Sequence, residues 1–363
     1  MTTSQWLFTL LREALWGEQQ EEPIPPKSLS SILNEARRQT VSGLVIDQLF
    51  KHNEQMPKQM VYESFSWLER IKQQNRKMNG EVAEFAKMMK RTSTRYIIVK
   101  GQTLAALYPE PLLRVSGDID FLVNDYAKAK IVLEKNWKVA LPGFMVEKEI
   151  SFEHNSALYE LHTYLIDFAR KRHQNYWEKA LAESKPDSII IDGEQVAVMN
   201  PTLSVAYVFI HLFYHFVKEG IGLRHLCDWA VALHYYRHEI DEQYLQEVLS
   251  QIGLKKAYCA FGSILTDFLG LDYFPIEICE KERRLQKCIL HDIFSGGNFG
   301  RDNRQVKRYG MKYKAETFWL TLKNSYRYFQ LAPTEMFFLM HRRIIVNMKL
   351  LLNKLFHSRL FKQ

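Results

Sequence analysis

With 363 residues, 47% of them hydrophobic, 25% charged and 13% aromatic, the chain has the composition of a folded globular protein with a sizeable core, which excludes a disordered or collagen-like one; its length suits two or three domain-sized units. The net charge of +8 is local: from residue 301 onward 14 Lys and Arg stand against 3 acids (Asp302, Glu316, Glu335), an excess of +11, so residues 1–300 carry about −3 by subtraction. Cys227, Cys259, Cys279 and Cys288 lack the close pairing of a zinc ribbon or redox motif and read as reduced, mostly buried thiols.

In chain order, residues 1 to about 92 carry helical spacing throughout: Trp6, Leu7, Leu10 and Leu11, then Leu29, Ile32 and Leu33, then Val61, Phe65, Leu68 and Ile71. The apolar stretch at the start contains Glu13 and has neither a basic lead nor a small-residue cleavage site, so no secretory signal is read and a cytoplasmic location is expected. Glu21 to Pro26, with three prolines, separates the first helix from the second.

The period changes at Arg95. Tyr96-Ile-Ile-Val99 predicts a short strand ending in Lys100-Gly101, followed by a helix from Gln102 to Tyr108 and a break at Pro109 and Pro111. Asp118-Ile-Asp-Phe-Leu-Val123 alternates polar and apolar positions as a half-buried strand does, and Asp125 is placed to cap the next helix. Strands are predicted over Val146 to Glu153 and Leu158 to Leu165 around an Asn155-Ser156 turn, and a last hairpin, Ser188 to Ile191 with Gln195 to Met199, around Asp192-Gly193. The predicted organisation is a helical region over 1–92, a mixed domain over 93–199 and a helical region over 200–363 that ends in the basic tail.

Asn200-Pro201 is a helix start, with a capping side chain and a proline at the first helical position. The most apolar window, Leu203 to Val217, is shorter than the roughly 20 residues a bilayer demands and holds two histidines, so it reads as a buried helix that Gly220 and Gly222 bring to an end.

Alternation puts Asp118 and Asp120 on one face of their strand, about 6 to 7 Å apart at the backbone. Neighbouring carboxylates raise one another's pKa, so a pair built this way expects a cation, and Mg²⁺ suits one or two carboxylates plus substrate phosphates. The same alternation sets Glu160 and His162 on one face, and an adjacent strand would bring Glu160 to the pair as a third acid, to hold metal or take the nucleophile's proton. Lys100-Gly101-Gln102, where strand becomes helix, offers a lysine, close backbone approach and free amides to a triphosphate. Arg114 is placed to meet either a phosphate or a carboxylate.

Taken together, Ile97-Ile-Val-Lys-Gly101, Tyr108-Pro109, Arg114 with Gly117-Asp-Ile-Asp-Phe-Leu-Val123, Tyr159-Glu-Leu-His162, His215 and Arg224 to Asp228 resemble the uncharacterised nucleotidyltransferase family of the polymerase-beta-like nucleotidyltransferase superfamily. The resemblance implies an α+β fold with a small mixed sheet in a nucleotidyltransferase core. It also implies transfer of a nucleoside monophosphate from a nucleoside triphosphate, with Asp118, Asp120 and Glu160 as metal ligands and catalytic acids; it does not supply the acceptor, for which a sugar, a small metabolite and a protein all stand open. Lys100, Gly101, Gln102, Arg114 and His162 are the residues expected on the nucleotide side. Gln102 stands where the superfamily commonly has Ser or Gly, so a non-catalytic nucleotide-binding or interaction protein on the same scaffold is the alternative.

Other patterns carry plainer readings. His211, His215 and Glu219, four residues apart on one helical face, have zinc-compatible spacing, but a polar stripe facing the cleft or the core is the simpler account. Arg224 and Asp228 predict an ion pair along one helix. Met336 to Phe361 interleaves apolar residues with Arg342, Arg343, Lys349, Lys354 and Arg359, a pattern for packing on the domain or for peripheral contact with an anionic membrane or polyanion. No nucleic-acid motif accompanies that charge.

Overall fold

The computed structural model describes residues 1–19, 22–52, 56–144, 148–298, 300 and 311–360, without the side chains at 311, 347 and 349–360. The N-terminal helices are α1 (Thr3–Trp16), α2 (Pro26–Arg38), α3 (Ser42–His52) and the long α4 (Lys58–Arg91). A capping box between Thr2 and Gln5 starts α1, and Gly17, left-handed at φ 74°, stops it.

After α4 come β1 (Tyr96–Val99), the single turn α5 (Gln102–Ala105), a 3-10 turn at Pro111–Leu113, β2 (Ile119–Val123) and α6 (Tyr126–Trp137). Then follow β3 (Glu149–His154), β4 (Ala157–His162), α7 (Lys171–Glu183), β5 (Asp187–Ile191) and β6 (Glu194–Val198). Asp125 caps α6 by accepting from the Lys128 amide at 3.0 Å, as its position predicts. Asn155 and Ser156 both have positive φ, as do Asp192 and Gly193, which is what two-residue hairpin turns need to match strand twist. The predicted start of the first hairpin, Val146, lies outside the described residues.

The larger sheet runs β1-β2-β4-β3; β2 and β4 are parallel and the two outer pairs antiparallel, so the sheet is small and mixed, as expected. One face carries Ile98, Ile119, Phe121, Val123, Tyr159 and Leu161 against Met78, Val82, Phe85 and Met89 of α4 and Leu133 of α6. Phe85, Phe121 and Tyr159 are fully buried there, each worth roughly 1.5–3 kcal/mol of transfer free energy. The other face turns Ile97, Val99 and Leu122 toward a larger core built by the helices.

That helical half consists of α8 (Pro201–Lys218), α9 (Leu223–Tyr235), α10 (Glu242–Gln251), α11 (Lys255–Asp267), the short α12 (Glu280–Arg283), α13 (Gln286–Gly296), α14 (Met311–Arg327) and α15 (Pro333–Leu360). α8 is buried almost along its length, as its apolar window predicts, and no helix among the described residues is long and apolar enough to cross a membrane. The thiols are free; Cys227 and Cys259 are buried, but Cys279 is exposed, a departure from the expected burial.

The C-terminal helix divides in two. Met336 and Leu339 are buried, whereas Ile344, Ile345, Val346 and Met348 are exposed. Its first turn is fastened by Glu335, fully buried, whose carboxylate accepts from the Ala169 amide and the Tyr214 hydroxyl and meets His173 Nδ1 at 2.7 Å. Farther along, Arg342 binds Asp167 at 2.7 Å and the Phe168 carbonyl at 3.1 Å. The side chains of Lys349, Lys354 and Arg359, part of the basic pattern, lie outside the described residues.

Candidate active site

Strand pairing builds the floor of a cleft of about 520 Å³ between the sheet and helices α8 and α9. The parallel register sets Asp120 opposite Glu160 and Leu122 opposite His162, all on the sheet face turned toward the helices. Val99 lies opposite Asp120 on the other side, so the next residue, Lys100, reaches over and donates to Asp120 Oδ1 at 3.0 Å. Its position depends on a strained turn. Lys100 has φ 61° and Gly101 φ 52°, and a Cβ on Gly101 would stand 3.0 Å from the Asp118 carbonyl oxygen.

His162 Nε2 also meets Asp120 Oδ1 at 3.0 Å and lies 3.9 Å from Glu160; its Nδ1 is 3.6 Å from Glu149. Both close contacts to Asp120 fall on the same oxygen, which leaves Oδ2 for an ion. Asp120, Glu160 and His162 offer ligand atoms within 4.8 Å of one another. Asp118, one residue before β2, lines the same cleft but is not part of that group.

Burial opposes ionisation of Asp120, but Lys100 and the hydrogen bond from His162 overcome it and hold its carboxyl well below the usual range. Glu160 goes the other way. Burial and the nearby charges of Asp120, Asp118 and Glu149 push it up to about 8.

The opposite wall is cationic and aromatic. Tyr207 stands beside Lys100, and His211, His215 and Lys218 follow along α8 on the cleft-facing side, with Arg224 and His225 from α9. The His211 and His215 rings are 4.3 Å apart and His215 Nδ1 is 3.6 Å from Glu219, so the stripe faces the cleft and makes no metal cluster among the described residues. Burial, Lys100 and the neighbouring imidazoles hold His211 well below its ordinary value.

Two expectations change. Gln102 is turned away from the cleft: its amide donates to Asn79 Oδ1 at 2.5 Å and to Asn75 Oδ1 at 3.3 Å, tying α5 to α4, so its side chain is a fastening between helices. Arg114 lines the cleft and meets a carboxylate, one of the two partners expected of it. It binds Asp228 in a buried bidentate pair, Nε at 2.7 Å and Nη2 at 2.8 Å, with the Tyr108 hydroxyl donating to the same carboxylate at 2.7 Å. Asp228 is therefore not the partner of Arg224, whose Nη1 donates to the Val115 carbonyl at 3.3 Å. A planar guanidinium matches a carboxylate at two points, and Arg114 already takes both oxygens of Asp228.

Lys218 was not singled out by sequence reasoning, although its spacing, seven residues after His211 and three after His215, extends the same helical stripe. Glu149 and Lys148, at the edge strand, also line the cleft without a motif to mark them.

Acids on the floor and ammonium, guanidinium and imidazole groups on the wall can hold a cation and a phosphate-bearing ligand together, and on an α+β scaffold with a small mixed sheet they define a protein of nucleotidyltransferase type. Residues 25–270 match the family described as uncharacterised nucleotidyltransferase, and the chain belongs to it. Among solved structures, an antigenic nucleotidyltransferase-like protein from Paracoccidioides brasiliensis is similar over 53% of this chain and 92% of its own, with 14% identity and a TM-score of 0.31. No curated protein matches the chain.

Proposed function

We propose that the protein transfers a nucleoside monophosphate from a nucleoside triphosphate to an acceptor in a reaction that depends on a divalent cation. The observation that carries this reading is the parallel pairing of β2 with β4, which sets Asp120 beside Glu160 on the cleft floor. Two carboxylates with Asp118 near them suit Mg²⁺; the imidazole of His162 also suits Mn²⁺. The bound ion would neutralise charge on the phosphates and on the departing pyrophosphate. Asp120 and Glu160 would hold it, Lys100 and His162 orient Asp120 through their contacts with its Oδ1, and the helical wall would face the phosphates and the acceptor. The acceptor oxygen forms the new bond to the α-phosphorus as the bond to pyrophosphate breaks, and the proton of a hydroxyl acceptor would pass to a carboxylate of the cleft floor or to water.

Incubation with labelled triphosphates, a divalent cation and a cell extract tests the reading. The full chain is expected to transfer label, and Asp120→Asn to lose it by about 10⁴-fold, a barrier rise of roughly 5 kcal/mol. Equal labelling by the wild type and Asp120→Asn removes Asp120 from the chemistry.

One contact favours a second reading. The Lys100 ammonium occupies an Asp120 oxygen as an internal cation, the arrangement of a scaffold that binds nucleotide without catalysis. It predicts thermal stabilisation by triphosphates that is the same with and without Mg²⁺, whereas the transferase requires stabilisation that grows with the cation.

A further inference from the structure

The cleft has an end that the acids do not explain. Lys218, at the last turn of α8, is turned into it, with its ammonium 4.7 Å from the Tyr214 ring centre. Among the described residues it has no ion pair. The carboxylate nearest in character, Asp167, is engaged by Arg342 at 2.7 Å, and Lys148 leans on Glu149 at 3.4 Å. Arg343 stands near enough, with Arg342 and Lys148, to act electrostatically on Lys218, and burial with these charges brings its ammonium down to about 8.

A half-buried ammonium crowded by like charges is unfavourable in an empty cleft and favourable once an anion enters. The fold nonetheless maintains the crowding. Glu335 locks the start of α15 to Tyr214 and His173, and two turns later Arg342 fixes the helix on Asp167, a residue of the cleft lining. α15 also lies beyond residues 25–270, so the contact of Arg342 with the cleft-lining Asp167 comes from a segment outside the family match.

We propose that Lys218 and Lys148, which line the same cleft, form an anion subsite that receives a phosphate group, with Arg343 adding positive charge at longer range. It rests on the nucleotidyl-transfer reading only for the source of that phosphate, which is either the terminal phosphates of the nucleotide or a phosphate carried by the acceptor. Ammonium and guanidinium groups are the usual phosphate partners, and the Tyr214 ring face holds the lysine in place beforehand.

The test is calorimetric titration of the full chain with inorganic phosphate, inorganic pyrophosphate, ATP and AMP, with and without Mg²⁺. The wild type is compared with Lys218→Met, Arg343→Met and Lys185→Met, the last an exposed lysine outside the cleft. Lys218→Met is expected to weaken phosphate and pyrophosphate binding about ten- to a hundredfold, Arg343→Met less, and Lys185→Met not at all. Unfolding curves confirm that each variant is folded. A larger loss for ATP than for AMP places the nucleotide's terminal phosphates in the subsite. Equal losses for ATP and AMP, with wild-type phosphate binding that persists in the presence of ATP and is still weakened by Lys218→Met, place the acceptor's phosphate there. Phosphate and pyrophosphate binding unchanged in Lys218→Met overturns the subsite. A wild type that binds phosphate through Lys218 but shows no Mg²⁺-dependent ATP binding overturns the nucleotidyl-transfer reading and leaves the subsite standing.

Discussion

On the floor of the cleft, Asp120, Glu160 and His162 owe their positions to strand register: adjacent strands, side chains alternating, every second residue on the same face. On the wall, His211, Lys218 and Arg224 come from helices whose placement depends on contacts far apart in sequence, such as Arg114 with Asp228 and Glu335 with Tyr214. Backbone hydrogen bonds fix the floor, whereas buried ion pairs and caps fix the wall. Charge follows the same division. The floor gathers carboxyls, Asp118, Asp120 and Glu160, and the wall gathers Lys218 and Arg224 with three imidazoles.

The sharpest way to break this contrast is at the pair that holds the wall. Asp228→Ala leaves the Arg114 guanidinium buried without its carboxylate and the Tyr108 hydroxyl without its acceptor, and is expected to cost about 3–5 kcal/mol in urea unfolding. A cost under about 1 kcal/mol returns Arg114 to the pool of ligand-binding groups.

A smaller effect probes the floor. With Glu160 at about 8 in the metal-free protein, it is protonated at neutral pH, so an incoming cation has to displace that proton. Mg²⁺ or Mn²⁺ affinity is therefore expected to rise with pH, by about tenfold per unit below 8, and to level off above it. Titrations at pH 6, 7 and 8 check the slope; a flat profile means that the cation does not meet Glu160.

The smallest effect concerns stability on the wall. The unfolded chain keeps the Lys218 proton up to its ordinary value of 10.5, but the folded one only to about 8, among Arg342, Arg343, Lys148, Asp167 and Tyr214. A group with a lowered folded value penalises the folded state fully below pH 8, and the penalty fades as pH rises toward 10.5. Lys218→Met is thus expected to raise Tm at pH 7 by roughly 2–4 °C, and the gap to narrow above pH 8. A lower Tm shows that the aliphatic stem matters more than the charge.

The contrast also governs what can be read in the sequence. Asp118-Ile-Asp and Tyr159-Glu-Leu-His162 are local, and a period of two states which side chains share a face, so the floor and both hairpins were legible. Gln102 was not: whether it faces a ligand or α4 depends on Asn75 and Asn79, more than 20 residues earlier. The Arg224–Asp228 expectation failed for a related reason. Spacing of four makes two residues neighbours on a helix, but a bidentate partner arriving from the loop before β2 competes better for the carboxylate. Glu335 was visible only as one of three acids in a basic tail, with nothing nearby to show that it would be buried.

The Glu335 fastening bears on how such a protein can change over time. A terminal helix that merely lay on the surface could be shortened or replaced residue by residue, each step nearly neutral. One that inserts a carboxylate among Tyr214, His173 and the Ala169 amide shares its inheritance with the elements that carry them, because losing either side strands polar groups in the interior. Segment and core are therefore bound to vary together, and chains that lack the helix should carry different residues at 173 and 214.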